Sequence, residues 1–262
     1  MTQNRATSNL KDSLFYPFSD SDWKRKLVIA SVIAFFGVVI PLIIPIILLV
    51  GYCKRIMRRI IQEGEDPFLP EWDDWGNLFA NGVGLFGVGL IYSLPSIVLF
   101  VAGYGLMMSV PFIAEYVEAS GNSLPYDFDL FFLAGTFGGM AIFGVSMLAS
   151  IITGVMMPPA LAHAVAKDEF SAAFRVREWW PIFRTNLTGF LFSYVILMGT
   201  WFAANFVMQF LYMTLVLCCL VPFAWSAATA VVMVVSSAMF AQAYREGVQN
   251  LTGESADSNN AA

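Results

Sequence analysis

Long apolar runs alternate with short polar segments along this chain, at a spacing that predicts membrane-spanning helices. Leu27 to Val50, Gly82 to Val110, Leu130 to Met157 and Leu187 to Ala243 contain no Asp, Glu, Lys, Arg or His. A hydrocarbon core of about 30 Å is crossed by about 20 helical residues, so each run is long enough. The last holds 57 residues, too many for one crossing, and "LCCLVPFAW" around Pro222 is where it turns, giving 187–214 and 221–243. The predicted fold is all-α: a polytopic transmembrane helical bundle of four full spans plus a proline-broken N-terminal stretch, 27–50, that is either a hairpin or a fifth span. Around it, residues 1–26 read as a cytoplasmic segment with interfacial aromatics, 27–246 as one transmembrane domain and 247–262 as a disordered tail.

Basic residues orient these spans. Arg5, Lys11 and Lys24 to Lys26 precede the first run, and Lys54, Arg55, Arg58 and Arg59 follow it. Lys167, Arg175, Arg177 and Arg184 lie between the third and fourth runs, Arg245 follows the last, and 111–129 has only acids: Glu115, Glu118, Asp127 and Asp129. The positive-inside rule then makes 51–81, 158–186 and the C-terminus cytoplasmic, and 111–129 and the turn near Pro222 external. If 27–50 crosses once, five basic residues are stranded outside; if it enters and returns, all 14 lie on one side. Pro41 and Pro45 interrupt its middle, where each removes a helical hydrogen bond. A bent or re-entrant hairpin is the preferred reading, with an ordinary kinked span as the alternative.

The polar segment "EDPFLPEWDDWGNLFANG" (65–82) carries signals for a short interfacial helix. Pro70 suits a first turn, Glu71, Asp73 and Asp74 suit the positive end of the helix dipole, and Trp72, Trp75 and Phe79 recur at helical spacing. "FSAAFRVREWWPIFRTN" (170–186) echoes it with Phe170, Phe174, Val176, Trp179 or Trp180, and Phe183, and both segments reach an asparagine (Asn81, Asn186) before the next span. The pattern is a faint repeat of span, surface helix, span. Trp72, Asp73, Asp74, Trp75, Trp179 and Trp180 are therefore the interfacial or structural candidates.

Composition narrows the function classes. The chain is 58% hydrophobic and 13% charged, against about 25% charged in soluble domains. A net charge of −5 excludes the concentrated basic surface that nucleic-acid binding needs. The first apolar stretch is too long for a signal-peptide core, and Cys53, Cys218 and Cys219 supply no metal or disulfide framework.

"YPFSDSDWKRK" (16–26), "GYCKRIMRR" (51–59) and "LPEWDDWGNLF" (69–79) together resemble an uncharacterised archaeal and bacterial family of multi-pass membrane proteins, domain of unknown function four thousand and thirteen. The resemblance is densest over residues 16–100 and continues through "MMPPALAHAVAKDEFSAAF" (156–174) to "FAQAYREG" (240–247). It implies a multi-pass membrane protein and brings no reaction, ligand or catalytic residue.

Candidate chemistry is sparse. Glu63, Glu65, Asp66, Glu71, Asp73 and Asp74 place six carboxylates within twelve residues. Hard cations prefer such ligands, but the spacing fits no EF-hand, and helix capping plus neutralisation of Arg55, Arg58 and Arg59 accounts for them more simply. His163 is the single histidine; it reads as a structural residue at the span boundary, or as a proton-sensitive group beside Asp168 and Glu169. Scattered hydroxyls have no intramembrane base to make them nucleophiles. Asn205 and Gln209 form one polar patch in the fourth span, for interhelical bonding or a polar substrate. Gly135/Gly139 and Ser146/Ser150/Gly154 provide small residues for close helix packing, within a bundle or a homo-oligomer. No catalytic, cofactor-binding or metal-ligating set can be assembled. The expected function is a non-catalytic bundle of the cell membrane working through lipid bilayer or membrane-partner interactions; the alternative is a transporter or channel for a small neutral or lipid-like substrate.

Overall fold

The computed structural model describes residues 16–39, 42–121, 128–213 and 218–260. Arg5, Lys11, Pro41 and Asp127, which enter the topology argument above, lie outside the described residues. The principal helices are α1 (Trp23–Ala34), α2 (Ile43–Arg58), α3 (Trp75–Ala119), α4 (Phe128–Lys167), α5 (Val176–Thr185), α6 (Leu187–Met213) and α7 (Val221–Asn260). Short π segments extend α1 (Phe35–Val39) and α2 (Arg59–Glu63), and 3-10 turns occupy Phe170–Phe174 and Cys218–Leu220. No strand occurs among the described residues.

Four helices are long and apolar enough to cross a membrane: Trp75–Ala119, Leu130–Lys167, Leu187–Met213 and Val221–Gly253. They follow the four predicted full spans, three of them running further than expected and Leu187–Met213 keeping nearly the expected bounds. The 45 residues of α3 measure about 68 Å at 1.5 Å per residue, more than twice the bilayer core, so Pro111 to Ala119 continues the helix where a loop was expected. The 57-residue run divides as predicted, and Pro222 falls in the first turn of α7, where its missing donor costs nothing. The tail expected to be disordered instead continues α7 to Asn260: once a helix is nucleated, each further residue adds a hydrogen bond without a new nucleation penalty.

The chain divides into two compact units, Met1–Val88 with Pro159–Ala262, and Gly89–Pro158. In the second unit α3 and α4 pack through glycine. A Cβ on Gly103 would lie 3.0 Å from the Gly139 carbonyl oxygen, and one on Gly139 would lie 2.9 Å from that of Gly103. The Gly135/Gly139 pair thus serves packing within the chain, where lipid gives helices no hydrophobic reason to associate and backbone approach supplies the contact. Most other large side chains here are exposed, among them Val101, Phe112, Phe137 and Ile151, as expected when hydrocarbon is the solvent.

In the first unit, α1 and α2 form two arms packed on α7. Ala30 and Ala34, one turn apart on α1, meet Leu49 of α2 and Ala230 of α7 in a closed core. The α1 arm ends near Phe35, which stacks on Phe223 in the first turn of α7 at 5.1 Å. Leu42 is extended (φ −93°, ψ 127°) and starts α2. Pro45 then lies in the first turn of α2, so it opens a helix instead of breaking one. Val28, Val32, Phe36, Ile43 and Ile44 leave an apolar outer face on both arms.

Candidate functional site

The polar segments of the first unit gather into one cap, organised by residues 65–74. No helix forms there: α2 and its π extension stop at Gly64, whose left-handed φ of 70° suits glycine, and the chain stays irregular until Trp75. The helix expected to start at Pro70 starts only at Trp75, as the first turns of α3. The segment's backbone carbonyls are taken by distant side chains instead. Lys26 Nζ donates to the Leu69 carbonyl (2.8 Å), the Tyr52 hydroxyl to that of Pro70 (2.8 Å), and Arg55 to that of Glu71 (3.0 Å). Trp72 closes the set: its ring stacks on Tyr52 at 4.0 Å and its indole N–H donates to the Lys26 carbonyl (3.0 Å).

These bonds fix the path of the first apolar stretch. Lys26 stands immediately before it and Tyr52 two residues after it, and both are bound to the same two-residue piece, Leu69–Pro70. The stretch leaves this strap and comes back to it. That is the geometry of the hairpin, and a single crossing would hold its two ends a bilayer apart.

Three of the strap's five carboxylates are spent on cations. Glu71 pairs with Arg25 and with Lys26 (3.0 Å), Asp73 with Arg55, and Glu65 with Arg59 (3.8 Å). Hydrogen bonding from Lys26 holds the Glu71 carboxyl below its usual range, and Arg55 does the same for Asp73. Asp74 takes a left-handed φ of 49° and accepts the backbone N–H of Asn77 at 3.2 Å, capping α3. Among the described residues no three His, Cys, Asp or Glu groups converge as metal ligands. Trp75 continues the stack from Trp72 at 5.7 Å but is itself exposed. The two tryptophans are close, through this stacking and not through helical spacing.

The second polar segment does form a surface helix. On α5, Trp179 is fully buried and donates to the Ala173 carbonyl (3.0 Å), with Ile182 and Phe183 beside it in the core. Trp180 points outward with Phe170, Phe174 and Val176. Asn186 ends α5 and donates to the Ala243 carbonyl (2.8 Å), whereas Asn81 lies inside α3 and accepts from Lys54 (3.0 Å). The two halves of the expected repeat are thus built differently.

His163 is buried, but its partners are not its chain neighbours. Nδ1 meets the Tyr244 hydroxyl at 2.7 Å and Nε2 meets Glu178 at 3.1 Å, which ties α4 to α7 and α5. Asp168 instead pairs with Lys54 (3.1 Å) and Arg58 (3.0 Å), and their hydrogen bonds and charge hold its carboxyl low. Glu169 pairs with Arg175 (2.6 Å). Arg245 reaches the carbonyls of Ile60 (3.4 Å) and Glu65 (3.3 Å). Asn205 and Gln209 lie on an exposed face of α6, and the Asn205 amide donates to the Trp201 carbonyl one turn earlier (2.8 Å), so it closes on its own helix.

Lys26, Tyr52, Glu178 and Tyr244 are the organising residues that the sequence reading missed. The one available signal was "GYCKR", whose tyrosine adjoins a basic cluster after an apolar run.

Four long apolar helices, with the polar ends of the first unit tied into one cap, define a multi-pass helical membrane protein. A family model described as Protein of unknown function (DUF4013) matches residues 34–215, and the chain belongs to that family. The match takes in "GYCKRIMRR" and "LPEWDDWGNLF" and leaves "YPFSDSDWKRK" outside. No curated protein and no solved structure matches the chain.

Proposed function

We propose that this is a non-catalytic protein of the cell membrane that works through lipid, with its cap on the cytoplasmic side recognising anionic headgroups. The cytoplasmic placement follows from the basic residues collected in the cap. The observation that carries the lipid reading is the outer face of α5. Arg177, Trp180 and Arg184 follow at three- and four-residue spacing, so they share one face, and all three are exposed. Among the described residues neither Arg177 nor Arg184 makes an ion pair, whereas Arg25, Arg55, Arg58, Arg59 and Arg175 all do. An exposed indole between two uncommitted guanidiniums matches an interfacial anionic surface, with the ring at headgroup depth and the charges on phosphate.

Native mass spectrometry of protein released from mixed anionic and zwitterionic nanodiscs tests this. The expected result is retention of anionic lipid by the wild type and a several-fold loss in R177Q/R184Q, with R25Q as an ion-paired control that changes it less. Equal retention by the wild type and R177Q/R184Q rejects the reading. The second reading, a carrier for a small neutral or lipid-like molecule, has one observation in its favour, a cleft in the unit formed by residues 89–158.

A further inference from the structure

In that unit, α3 and α4 line an open cleft of about 400 Å³, within the roughly 300–1,000 Å³ of small-molecule sites. Four hydroxyls line it, from Ser93, Ser96, Ser150 and Thr153, together with Phe100 and Met157. No charged side chain contributes to the lining. A serine in an apolar helix normally satisfies its hydroxyl on the carbonyl one turn back. Ser150 does so, donating to Ser146 (2.9 Å). Ser96 would use the Tyr92 carbonyl, but that oxygen accepts the Thr153 hydroxyl from α4 (3.3 Å). The Ser96 carbonyl, for its part, accepts the hydroxyl of Ser146 (3.0 Å). The result is that Ser96 Oγ, in a residue only 6% exposed, is the one buried side-chain polar atom without a hydrogen-bond partner among the described residues. A hydroxyl shut away from water and left unbonded costs free energy, and hydrocarbon offers it nothing.

We infer that this cleft binds a neutral long-chain amphiphile whose head carries an oxygen acceptor, such as an alcohol, with Ser96 turning its hydroxyl from the buried position toward the cleft to donate to that oxygen, and the chain lying against Phe100 and Met157. The absence of charge in the lining selects a neutral head, because a buried ion would go unpaired. The inference is independent of the headgroup surface on α5, which belongs to the other unit.

The test uses a diazirine-bearing long-chain alcohol on the full-length protein in nanodiscs, beside a diazirine hydrocarbon of the same length. The alcohol is expected to label the peptides holding Ser93–Phe100 and Ser150–Met157, to be displaced by excess unlabelled alcohol, and to label several-fold more than the hydrocarbon. Ser96→Ala removes no internal hydrogen bond and should lower alcohol labelling about three- to tenfold, the range set by one net hydrogen bond. Gly154→Leu extends a side chain from a position where a Cβ would meet no atom within 4 Å, and should block labelling while the thermal unfolding midpoint stays near wild type. Equal labelling by the hydrocarbon, or unchanged alcohol labelling in Ser96→Ala, overturns the inference. Should Gly154→Leu not fold, the alcohol–hydrocarbon comparison and Ser96→Ala decide it alone.

Discussion

Gly51→Ala and Gly82→Ala are each expected to destabilise the protein by about 3 kcal/mol or more, at the upper end of the cost of overpacking. The two glycines face each other's helices where α2 crosses the start of α3. A methyl on Gly51 would be driven into the Leu78 carbonyl, and one on Gly82 into the Ile47 carbonyl. Both obstacles are backbone, so no rotamer change relieves them and the helices must separate. Separation would carry Tyr52 and Lys54 away from Pro70 and Asn81, loosening the strap as well. Thermal unfolding in detergent checks this, with Gly84→Ala as control. That position has open space around it, and alanine is the better helix former by about 1 kcal/mol, so the control should be neutral or slightly stabilised. A Gly82→Ala protein with a wild-type midpoint would show that α2 and α3 are not in backbone contact.

Lys26→Met is the second large effect. The side chain is 7% exposed, and its ammonium binds Asp20 (2.8 Å), Glu71 (3.0 Å) and the Leu69 carbonyl, filling its three donors. Methionine keeps the apolar stem but strands these acceptors. Removing one partner of a buried pair costs about 3–5 kcal/mol, and the exposure of Glu71 on one side brings the expectation to about 2–4 kcal/mol. The pH profile carries a signature. Burial alone would lower the Lys26 pKa, but the hydrogen bonds its ammonium donates to Asp20 and Glu71 outweigh it and the pKa is raised. Burial alone would raise the Asp20 carboxyl, but Lys26 outweighs it and holds that carboxyl low, as it does Glu71. The carboxylates therefore contribute stability that is present above their unfolded pKa values of about 4 and lost as pH falls through the lower folded values. The lysine contributes stability that is present below its unfolded value of about 10.4 and lost as pH rises through the higher folded one. The wild-type midpoint should fall at both extremes, and the difference between wild type and Lys26→Met should be largest between them. A difference independent of pH would assign Lys26 a packing role only.

How much of this was legible beforehand depended on whether the signal was local. The spans were, because an uncharged run of more than 20 residues has one physical interpretation. The hairpin preference also rested on local information, since counting charges on either side of 27–50 needs no partner information. The strap was not. Pro70 followed by acids and evenly spaced aromatics is a sound helix-start pattern, but the backbone there is occupied by Lys26, Tyr52 and Arg55, which lie 43, 18 and 16 residues away from their acceptors. His163 failed for the same reason: Asp168 and Glu169 were near in sequence, while Tyr244, 81 residues on, was near in space. Between Trp179 and Trp180, adjacent positions about 100° apart on a helix, the pattern permitted either as the buried one. Only packing distinguishes the indole that bonds Ala173 from the one that stays outside. The roles of Gly51 and Ser96 depend on which carbonyl lies opposite, which no periodicity encodes.

The return of residues 27–50 to their starting side is the claim on which the cap, the strap and the orientation all depend. Single cysteines placed at Ser21, Gln62 and Tyr116, in a background lacking Cys53, Cys218 and Cys219, test it by labelling intact cells with a membrane-impermeant thiol reagent. The account predicts that Ser21 and Gln62 are protected together until the membrane is opened, while Tyr116 is labelled from outside. Labelling of Ser21 alongside Tyr116, with Gln62 still protected, would place a full crossing between residues 27 and 50 and contradict it.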